Sequence, residues 1–182
     1  MKICPPYLSF ILYNPIRKAL TDRKRILDES GVTESSVVLE IGAGNGFITE
    51  AIAQRAKKVY ANEFQPGMVK KLKKRMEKFG DKVDVLLCDI AGCDIGEEFA
   101  DVGIMYYSFH EIDNQAGAVK NIGRAIKKSG TLSIYEPTIE INKAAMQKTA
   151  GMFEAVGFEK EVERDGLFTR FVRLRKAVTK GG

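Results

Sequence analysis

Residues 38–46 read Val-Leu-Glu-Ile-Gly-Ala-Gly-Asn-Gly, an apolar run that passes into three glycines at every second position. The run at 37–41 predicts a buried parallel strand, and residues 47–55 carry apolar side chains at helical spacing. A strand-to-helix loop without Cβ atoms at three positions can turn sharply and lie against a ligand. A dinucleotide loop of the form G-x-G-x-x-G would need its third glycine at position 47, which is Phe. The loop therefore predicts a ligand site without a tight pyrophosphate cradle.

The rest of the chain alternates short β-branched runs with amphipathic helical stretches, which indicates an α/β fold around a parallel sheet. Asp165-Gly166 is a strong hairpin dipeptide, so the sheet is expected to end in an antiparallel pair formed by residues 158–164 and 167–176. The predicted strands after the glycine loop are 58–62, 83–88, 100–106 and 131–135. The predicted helices span about 66–79, 114–128 and 143–156, after a mostly helical segment over residues 1–36.

Two acidic residues follow the next two predicted strands. Glu63 comes directly after the strand at 58–62, and Asp89 directly after the strand at 83–88. The carboxyl ends of parallel strands meet at one edge of a sheet, where ligands of open α/β folds bind. One glycine loop, one acid for ribose hydroxyls and a further acid for a base amino group describe a site for a mononucleoside cofactor.

This set resembles the class I S-adenosylmethionine-dependent methyltransferases, with the similarity running from about Val37 to Tyr135. The resemblance implies an α/β, Rossmann-like, doubly wound seven-stranded sheet, mostly parallel with a C-terminal antiparallel hairpin. It also implies S-adenosyl-L-methionine as the cofactor. On this basis residues 1–182 form a single methyltransferase domain, with an N-terminal helical cap at 1–36, a cofactor-binding core at 37–135, and a C-terminal helix and hairpin at 136–182.

The resemblance assigns cofactor-binding roles to residues around the loop. Glu40 would face the amino acid end of the cofactor, Glu63 would hold the ribose hydroxyls, and Asp89 would bind the adenine amino group. The loop residues against the methionine and ribose would be Gly42, Ala43, Gly44 and Gly46, and the residues flanking the adenine would be Phe64 and Ile90. A plain tight turn is the alternative for the glycines, and a helix cap or loop acid is the alternative for Asp89.

The segment at 106–112, Tyr-Tyr-Ser-Phe-His-Glu-Ile, follows the fourth predicted strand and in this family borders the reactive methyl group. His110 is the only histidine, and its pKa range suits proton removal from an acceptor. It could instead anchor the next helix by a hydrogen bond. Tyr106 could pack against a sulfonium cation or belong to the core. Glu136 and Pro137, after the fifth strand, are further candidates for the pocket wall.

Three readings of the function stay open at this stage. The favoured one is methyl transfer to an O, N, S or C nucleophile of a small molecule, lipid-like acceptors included. The loop also resembles rRNA adenine dimethylases, but those enzymes need an Asn-x-Pro-Tyr-like segment where residues 106–109 read Tyr-Tyr-Ser-Phe. The basic run at 70–75 is predicted as the solvated face of a helix, with RNA binding as the minor reading. A non-catalytic cofactor-binding module is the third reading.

Composition bounds the remaining properties. The longest apolar run, at 7–13, is too short to span a bilayer, and it is read as an extra helix or a lid over the cofactor. Arg17 could meet a carboxylate or lie at the surface. Cys4, Cys88 and Cys93 form neither a disulfide framework nor a metal site, so a cytoplasmic protein with reduced cysteines and no metal is expected. The net charge of +5 permits an acidic partner without requiring one, and nothing in the sequence indicates the oligomeric state.

Overall fold

The computed structural model describes residues 21–178 of the 182-residue chain. The predicted N-terminal features, namely the apolar segment at 7–13, Arg17 and Cys4, lie outside these described residues. The helices are α1 (Arg23–Ser30), α2 (Thr49–Arg55), α3 (Pro66–Met76), α4 (Gln115–Ala125) and α5 (Lys143–Glu154), with 3-10 turns at Glu77–Lys82 and Phe109–Glu111. The strands are β1 (Val37–Ile41), β2 (Lys58–Glu63), β3 (Val83–Leu87), β4 (Ala100–Tyr106), β5 (Ile126–Pro137), β6 (Phe158–Asp165) and β7 (Thr169–Lys176).

The strands form one seven-stranded sheet in the order β3-β2-β1-β4-β5-β7-β6. The first five strands of that order are parallel, and β7 runs antiparallel to both β5 and β6. The predicted fold class, with its C-terminal antiparallel hairpin, is confirmed. Because β1 and β4 are neighbours although they are far apart in sequence, the strand order reverses at β1. A crevice therefore opens at their carboxyl ends, where ligands of such sheets bind.

Helices cover both faces of the sheet and bury two apolar layers. Side chains of α1, α2 and α3 pack on one face with Val38 and Ile104, and side chains of α4 and α5 pack on the other with Leu39 and Met105. Successive strand residues point to opposite faces, so neighbours in sequence enter different layers. This arrangement explains why β1 is almost entirely apolar, with Glu40 as its one charged residue. The sheet and its loops are thereby held rigidly around the crevice.

Helix α3 presents its lysines away from the core. Met68, Val69 and Leu72 are buried on one side, whereas Lys70 and Lys73 are exposed on the other. This burial pattern agrees with the predicted solvated basic face. No helix within residues 21–178 is long and apolar enough to cross a membrane.

Two predictions about local structure were wrong. The helix predicted to reach residue 128 ends at Ala125, and Ile126 is extended (φ −75°, ψ 131°) as the first residue of β5, paired with Ala100. Ile126 has the spacing of a buried helical residue, but it is buried because it packs in the sheet. The second error concerns cysteine: Cys88 and Cys93 form a disulfide rather than staying reduced. The loop after β3 turns back on itself, since the amides of Gly92 and Cys93 both donate to the Asp89 carbonyl, and this turn brings the two sulfurs together.

Candidate active site

A cavity of about 640 Å³ opens at the carboxyl edge of the sheet, at the ends of β1, β2 and β4. This volume lies within the range of roughly 300–1,000 Å³ that is usual for small-molecule sites. Nearly all the predicted site residues line it. Those residues are Glu40, Gly42, Ala43, Gly44, Glu63, Phe64, Asp89, Ile90, Tyr106 and His110.

The glycine loop packs closely against Ser108, just after β4, at Gly42, and it is open towards the cavity at Gly44. Gly42 has φ +71°, and a Cβ atom there would lie 2.4 Å from Cβ of Ser108, whose hydroxyl donates to the Ile41 carbonyl at 2.8 Å. Gly44 has φ +58° and no atom within 4 Å of the position a Cβ would occupy. The first glycine therefore lets two strand ends approach, and the second leaves backbone surface accessible to a ligand. Gly46 is placed differently from the prediction, because it faces Leu72 of α3 and does not line the cavity.

Glu63 closes the loop from the end of β2. Its Oε2 accepts a hydrogen bond from the Gly44 amide at 2.8 Å, and its Oε1 accepts one from the Gln65 amide at 2.9 Å. Burial raises the pKa of Glu63, and these backbone hydrogen bonds counter part of that rise. A carboxylate oxygen can accept a second hydrogen bond, so Glu63 can also receive ribose hydroxyls while it fixes the loop.

Glu40 is an unusual buried acid. It lies in β1 with 2% of its surface exposed, lines the cavity, and its Oε2 has no hydrogen-bond partner among residues 21–178. Burial, with a smaller contribution from the nearby charge of Glu63, raises the pKa of Glu40 to about 8, although Thr49 opposes the rise. An orphaned carboxylate of this kind is stabilised by a cationic group. The amino group of S-adenosylmethionine supplies one, so the residues present fit this cofactor.

The loop after β3 forms a third side of the cavity. Oδ1 of Asp89 accepts a hydrogen bond from the Ala91 amide at 2.9 Å, while Ile90 is buried and Phe64 stands 41% exposed at the rim. Asp89 acts here as a turn acid, yet it also lines the cavity, so both readings of this residue are compatible with its position. Asn121 of α4 holds the loop by donating to the carbonyls of Ile90 and Cys93.

Tyr106 and Tyr107 form an aromatic wall at the end of β4. Their rings are stacked with centroids 4.2 Å apart, and Tyr106 also packs against Phe47 and Tyr135. Tyr106 therefore belongs partly to the core and partly to the cavity. Tyr107 has φ +59°, a backbone conformation that side chains rarely adopt, and its amide donates to the Tyr135 carbonyl at 2.8 Å. This unusual turn directs the following residues across the mouth of the cavity.

His110 is held by two glutamates from the region at the end of β5. Its Nδ1 lies 2.5 Å from Oε2 of Glu136, its amide donates to Oε1 of the same residue, and its Nε2 lies 3.2 Å from Oε2 of Glu140. The hydrogen bond to Glu136 raises the pKa of His110, burial opposes the rise, and the charges of Glu136, Glu140 and Glu111 add to it. Glu136 is 1% exposed and Glu140 is at the surface. Glu136 can hold a proton on Nδ1, and Nε2 lies against Glu140, which lines the cavity together with His110.

The sequence analysis named Glu136 only as a wall candidate and did not single out Glu111 or Glu140. His110 and Glu111 lie in the 3-10 turn after β4, whereas Glu136 lies at the end of β5 and Glu140 follows it, so no local spacing links the two pairs. The one available signal was that residue 136 directly follows the predicted strand at 131–135, which belongs to β5, the neighbour of β4, and ends at the same edge of the sheet. Within residues 21–178, no group of histidines, cysteines and acids has the arrangement of a metal site.

The comparison with known proteins agrees with this geometry. Residues 39–134, more than half of the chain, match the family described as a methyltransferase domain. The ribosomal RNA small subunit methyltransferase A of Bacillus licheniformis is 40% identical over 81 residues, which make up 42% of this chain and 27% of that protein. The match thus spans about a quarter of the length of that relative. An uncharacterized methyltransferase of Geobacillus sp. is 28% identical over 144 residues, covering 78% of this chain and 66% of its own.

A solved structure described as an S-adenosylmethionine-dependent methyltransferase from Aquifex aeolicus superposes with a TM-score of 0.84. It is 22% identical in sequence and the alignment covers 95% of this chain and 99% of that one. At this identity the superposition supports the shared fold. Because its sequence matches the family and its cavity lies at the carboxyl edge of the same fold, the protein belongs to the class I S-adenosylmethionine-dependent methyltransferase family.

Proposed function

We propose that the protein transfers the methyl group of S-adenosylmethionine to an O, N, S or C nucleophile of a small molecule. The observation that carries this proposal is the joint lining of one 640 Å³ cavity by the Glu40–Glu63 side and by His110. A cavity of this size accommodates a cofactor and a small acceptor together. The Glu40–Glu63 side of the cavity binds the cofactor, and the His110 side activates the acceptor.

Methyl transfer is an in-line displacement in which the bound cofactor supplies an electrophilic methyl group on a sulfonium. The protein's tasks are to hold both reactants in line, to exclude water and to accept a proton where the acceptor carries one. Glu40, Glu63 and Asp89 bind the cofactor side. Nε2 of His110 accepts the acceptor's proton, while Glu136 keeps the proton on Nδ1 and fixes the ring.

The partial match to an rRNA methyltransferase favours RNA as the second candidate substrate. Against it, residues 106–109 lack the proline and the amide that clamp a flipped base, and the lysines of α3 do not line the cavity. A non-catalytic module would bind the cofactor without turnover. The proposal therefore needs an experiment that separates these three outcomes.

The purified protein should be incubated with methyl-labelled S-adenosylmethionine, a desalted extract and the low-mass pool of the same cells. Label is then counted separately in precipitable and low-mass fractions. Label in the low-mass fraction supports the proposal, and label in RNA or protein contradicts it. Cofactor binding without label in either fraction would support the non-catalytic reading.

A substitution at Glu63 tests the cofactor side. Glu63→Ala removes the acceptor of the Gly44 and Gln65 amides and of the ribose hydroxyls, and hydrogen bonds to charged groups contribute about 1.5–3 kcal/mol. We expect S-adenosylmethionine to bind at least ~30-fold more weakly by calorimetry. The exposed Glu154→Gln, on α5, is the matched control and should bind as the wild type does. Undiminished affinity in the Glu63 variant would refute the site assignment.

A further inference from the structure

Apart from His110, the residues lining the cavity that can carry a charge near neutral pH are all acidic. Within residues 21–178 the lining contains no lysine or arginine, although the whole chain has 29 of these against 24 acids. The acidic lining residues are Glu40, Glu63, Asp89, Glu111, Asp113 and Glu140. A cleft lined by one sign of charge attracts ligands of the opposite sign and repels ligands of its own.

Two of these acids stand beside the proton-accepting histidine. Glu140 has its Oε2 3.2 Å from Nε2 of His110, and Glu111 is the next residue along the 3-10 turn. The Glu111 carboxylate is half-buried and makes no ion pair or hydrogen bond to any residue in the described part of the chain. Burial, and then the charges of Glu63, Glu140 and Glu136, raise the pKa of Glu111, against the effect of His110. A half-buried acid in acidic surroundings is stabilised by a bound cation.

The Glu40 carboxylate gives a second, independent indication. It is 2% exposed and one of its oxygens has no partner among the described residues, yet it lines the same cavity. If the amino group of the cofactor binds Glu40, Glu111 still has no ion-pair partner among the described residues, and Glu140 contacts only the His110 ring, which is uncharged in the state that accepts a proton.

We propose that the acceptor is a primary or secondary amine that enters the cavity as a cation and is recognised by Glu111 and Glu140. This inference rests on the proposed function and narrows its acceptor to nitrogen. Acceptors that carry a phosphate or carboxylate close to the nucleophile are disfavoured, because they would lie against the carboxylates of Glu111 and Glu140.

The chemistry balances with the residues present. The bound ammonium gives a proton to Nε2 of neutral His110, whose Nδ1 proton stays on the hydrogen bond to Glu136. The freed lone pair on nitrogen forms the N–C bond as the methyl–sulfur bond of the sulfonium breaks, and that bond's electron pair stays on the sulfur of the departing thioether. A methylated ammonium, the neutral thioether and an imidazolium remain, and the imidazolium lies between two carboxylates that stabilise it.

Chemical blocking of amines tests the acceptor class. Half of the low-mass pool is acetylated with an N-hydroxysuccinimide ester and treated with hydroxylamine to free hydroxyls and thiols, and the other half is mock-treated. We expect labelled product from the mock pool to be retained on a cation exchanger at pH 7, and label from the acetylated pool to fall at least ~10-fold. Equal label in both pools, or label in RNA or protein, overturns the amine assignment. An unlabelled mock pool overturns the proposed function itself, so the two failures are distinguishable.

Variants of the recognising acids supply the second test. Glu111→Gln and Glu140→Gln each remove one charge-assisted contact, so we expect the KM for the amine fraction to rise ~10-fold or more. Affinity for S-adenosylmethionine should stay within twofold of the wild type by calorimetry, and Glu154→Gln should change neither quantity. An unchanged KM in both variants contradicts their role.

A readout without turnover uses the single histidine, whose ring gives one set of NMR signals in the tag-free protein. Saturating methylammonium, with S-adenosylhomocysteine bound, should lower the pKa of His110, because a cation next to Glu111 and Glu140 disfavours the imidazolium. Acetate at the same concentration is the control and should leave it unchanged. Equal responses to the two ions would refute the recognition of a cation.

Discussion

The carboxylates of the cavity behave differently because their hydrogen bonds differ. Both carboxylate oxygens of Glu63 accept hydrogen bonds from backbone amides, whereas one oxygen of Glu40 has no hydrogen-bond partner among the described residues. Glu136 gives both oxygens to the amide and ring of His110. The first carboxylate therefore shapes the loop, the second can still pair with a cation, and the third orients the ring of His110.

Glu40 should lower the free energy of unfolding at high pH. Burial raises its pKa from 4.5 to about 8, so the folded chain holds this proton more tightly than the unfolded chain. The resulting stabilisation is present below about pH 4.5 and is lost as the pH rises through 8. We expect Glu40→Gln to be more stable than the wild type at pH 8.5 by at least ~2 kcal/mol, with a smaller difference at pH 5, in urea unfolding.

The same substitution should remove a pH dependence of binding. S-adenosylmethionine needs ionised Glu40, so affinity should rise with pH up to about 8 in the wild type. Calorimetry of Glu40→Gln should show weak binding without that rise. A wild-type affinity that falls between pH 6 and 8 would contradict the assignment.

Glu136 should set the pH profile of turnover. Its hydrogen bond raises the pKa of His110, with Glu140 and Glu111 adding to the effect, and activity requires the neutral ring. In Glu136→Gln the acid limb of kcat should therefore move to lower pH, and kcat should fall by ~10²-fold because the ring loses its orientation. Glu136→Asp should recover part of the shift in the His110 pKa measured by NMR. A residue that merely supported the fold would leave that limb where it is.

At the scale of elements, the loop between β1 and α2 couples two structural requirements at neighbouring glycines. Gly42 makes room for Ser108, which follows β4 and precedes His110, and Gly44 leaves the cavity open. The loop thus positions the cofactor side and the acceptor side relative to each other. Two strand ends can approach so closely only where one of them lacks a Cβ atom.

Alanine at each glycine should separate these requirements. In Gly42→Ala the new Cβ would lie 2.4 Å from Cβ of Ser108 and φ is +71°, so we expect a loss of at least ~3 kcal/mol. Gly44→Ala meets no atom within 4 Å, and its φ alone costs roughly 1–2 kcal/mol. In urea unfolding, Gly42→Ala should therefore have a clearly lower free energy of unfolding than Gly44→Ala. Calorimetry should show that Gly44→Ala binds the cofactor more weakly than the wild type does. Equal stability of the two variants would contradict the close approach.

At the scale of the molecule, the antiparallel strand β7 fills the sheet between β5 and β6 and supports the end of β5, which includes Glu136. Leu174 in β7 is fully buried and pairs with Leu132. The hairpin is therefore part of the core that fixes the His110 side of the cavity, although it contributes no lining residue of its own within the described chain.

Shortening a buried side chain of this strand should destabilise the whole domain. Leu174→Ala leaves a cavity in the core and should cost about 3 kcal/mol, which lowers Tm by roughly 6–12 °C for a chain of this size. Leu167→Ala, in the hairpin turn, is the control, since Leu167 is 82% exposed and its loss should change stability by less than ~0.5 kcal/mol. Calorimetric scans of both variants check the prediction, and equal Tm values would refute the burial argument.

Local signals in the sequence were enough to predict the parallel α/β core, the C-terminal hairpin near Asp165-Gly166 and the glycine loop with Glu63. Each of these rests on a local signal, such as apolar periodicity, turn chemistry, or an acid directly after a strand. Tertiary structure alone decided the rest. It brought His110 to Glu136 and Glu140, paired Cys88 with Cys93, turned Gly46 towards α3 and ended α4 at Ala125. These outcomes depend on which strand ends and loops become neighbours, and the order of strands in the sheet sets those neighbours independently of spacing along the chain.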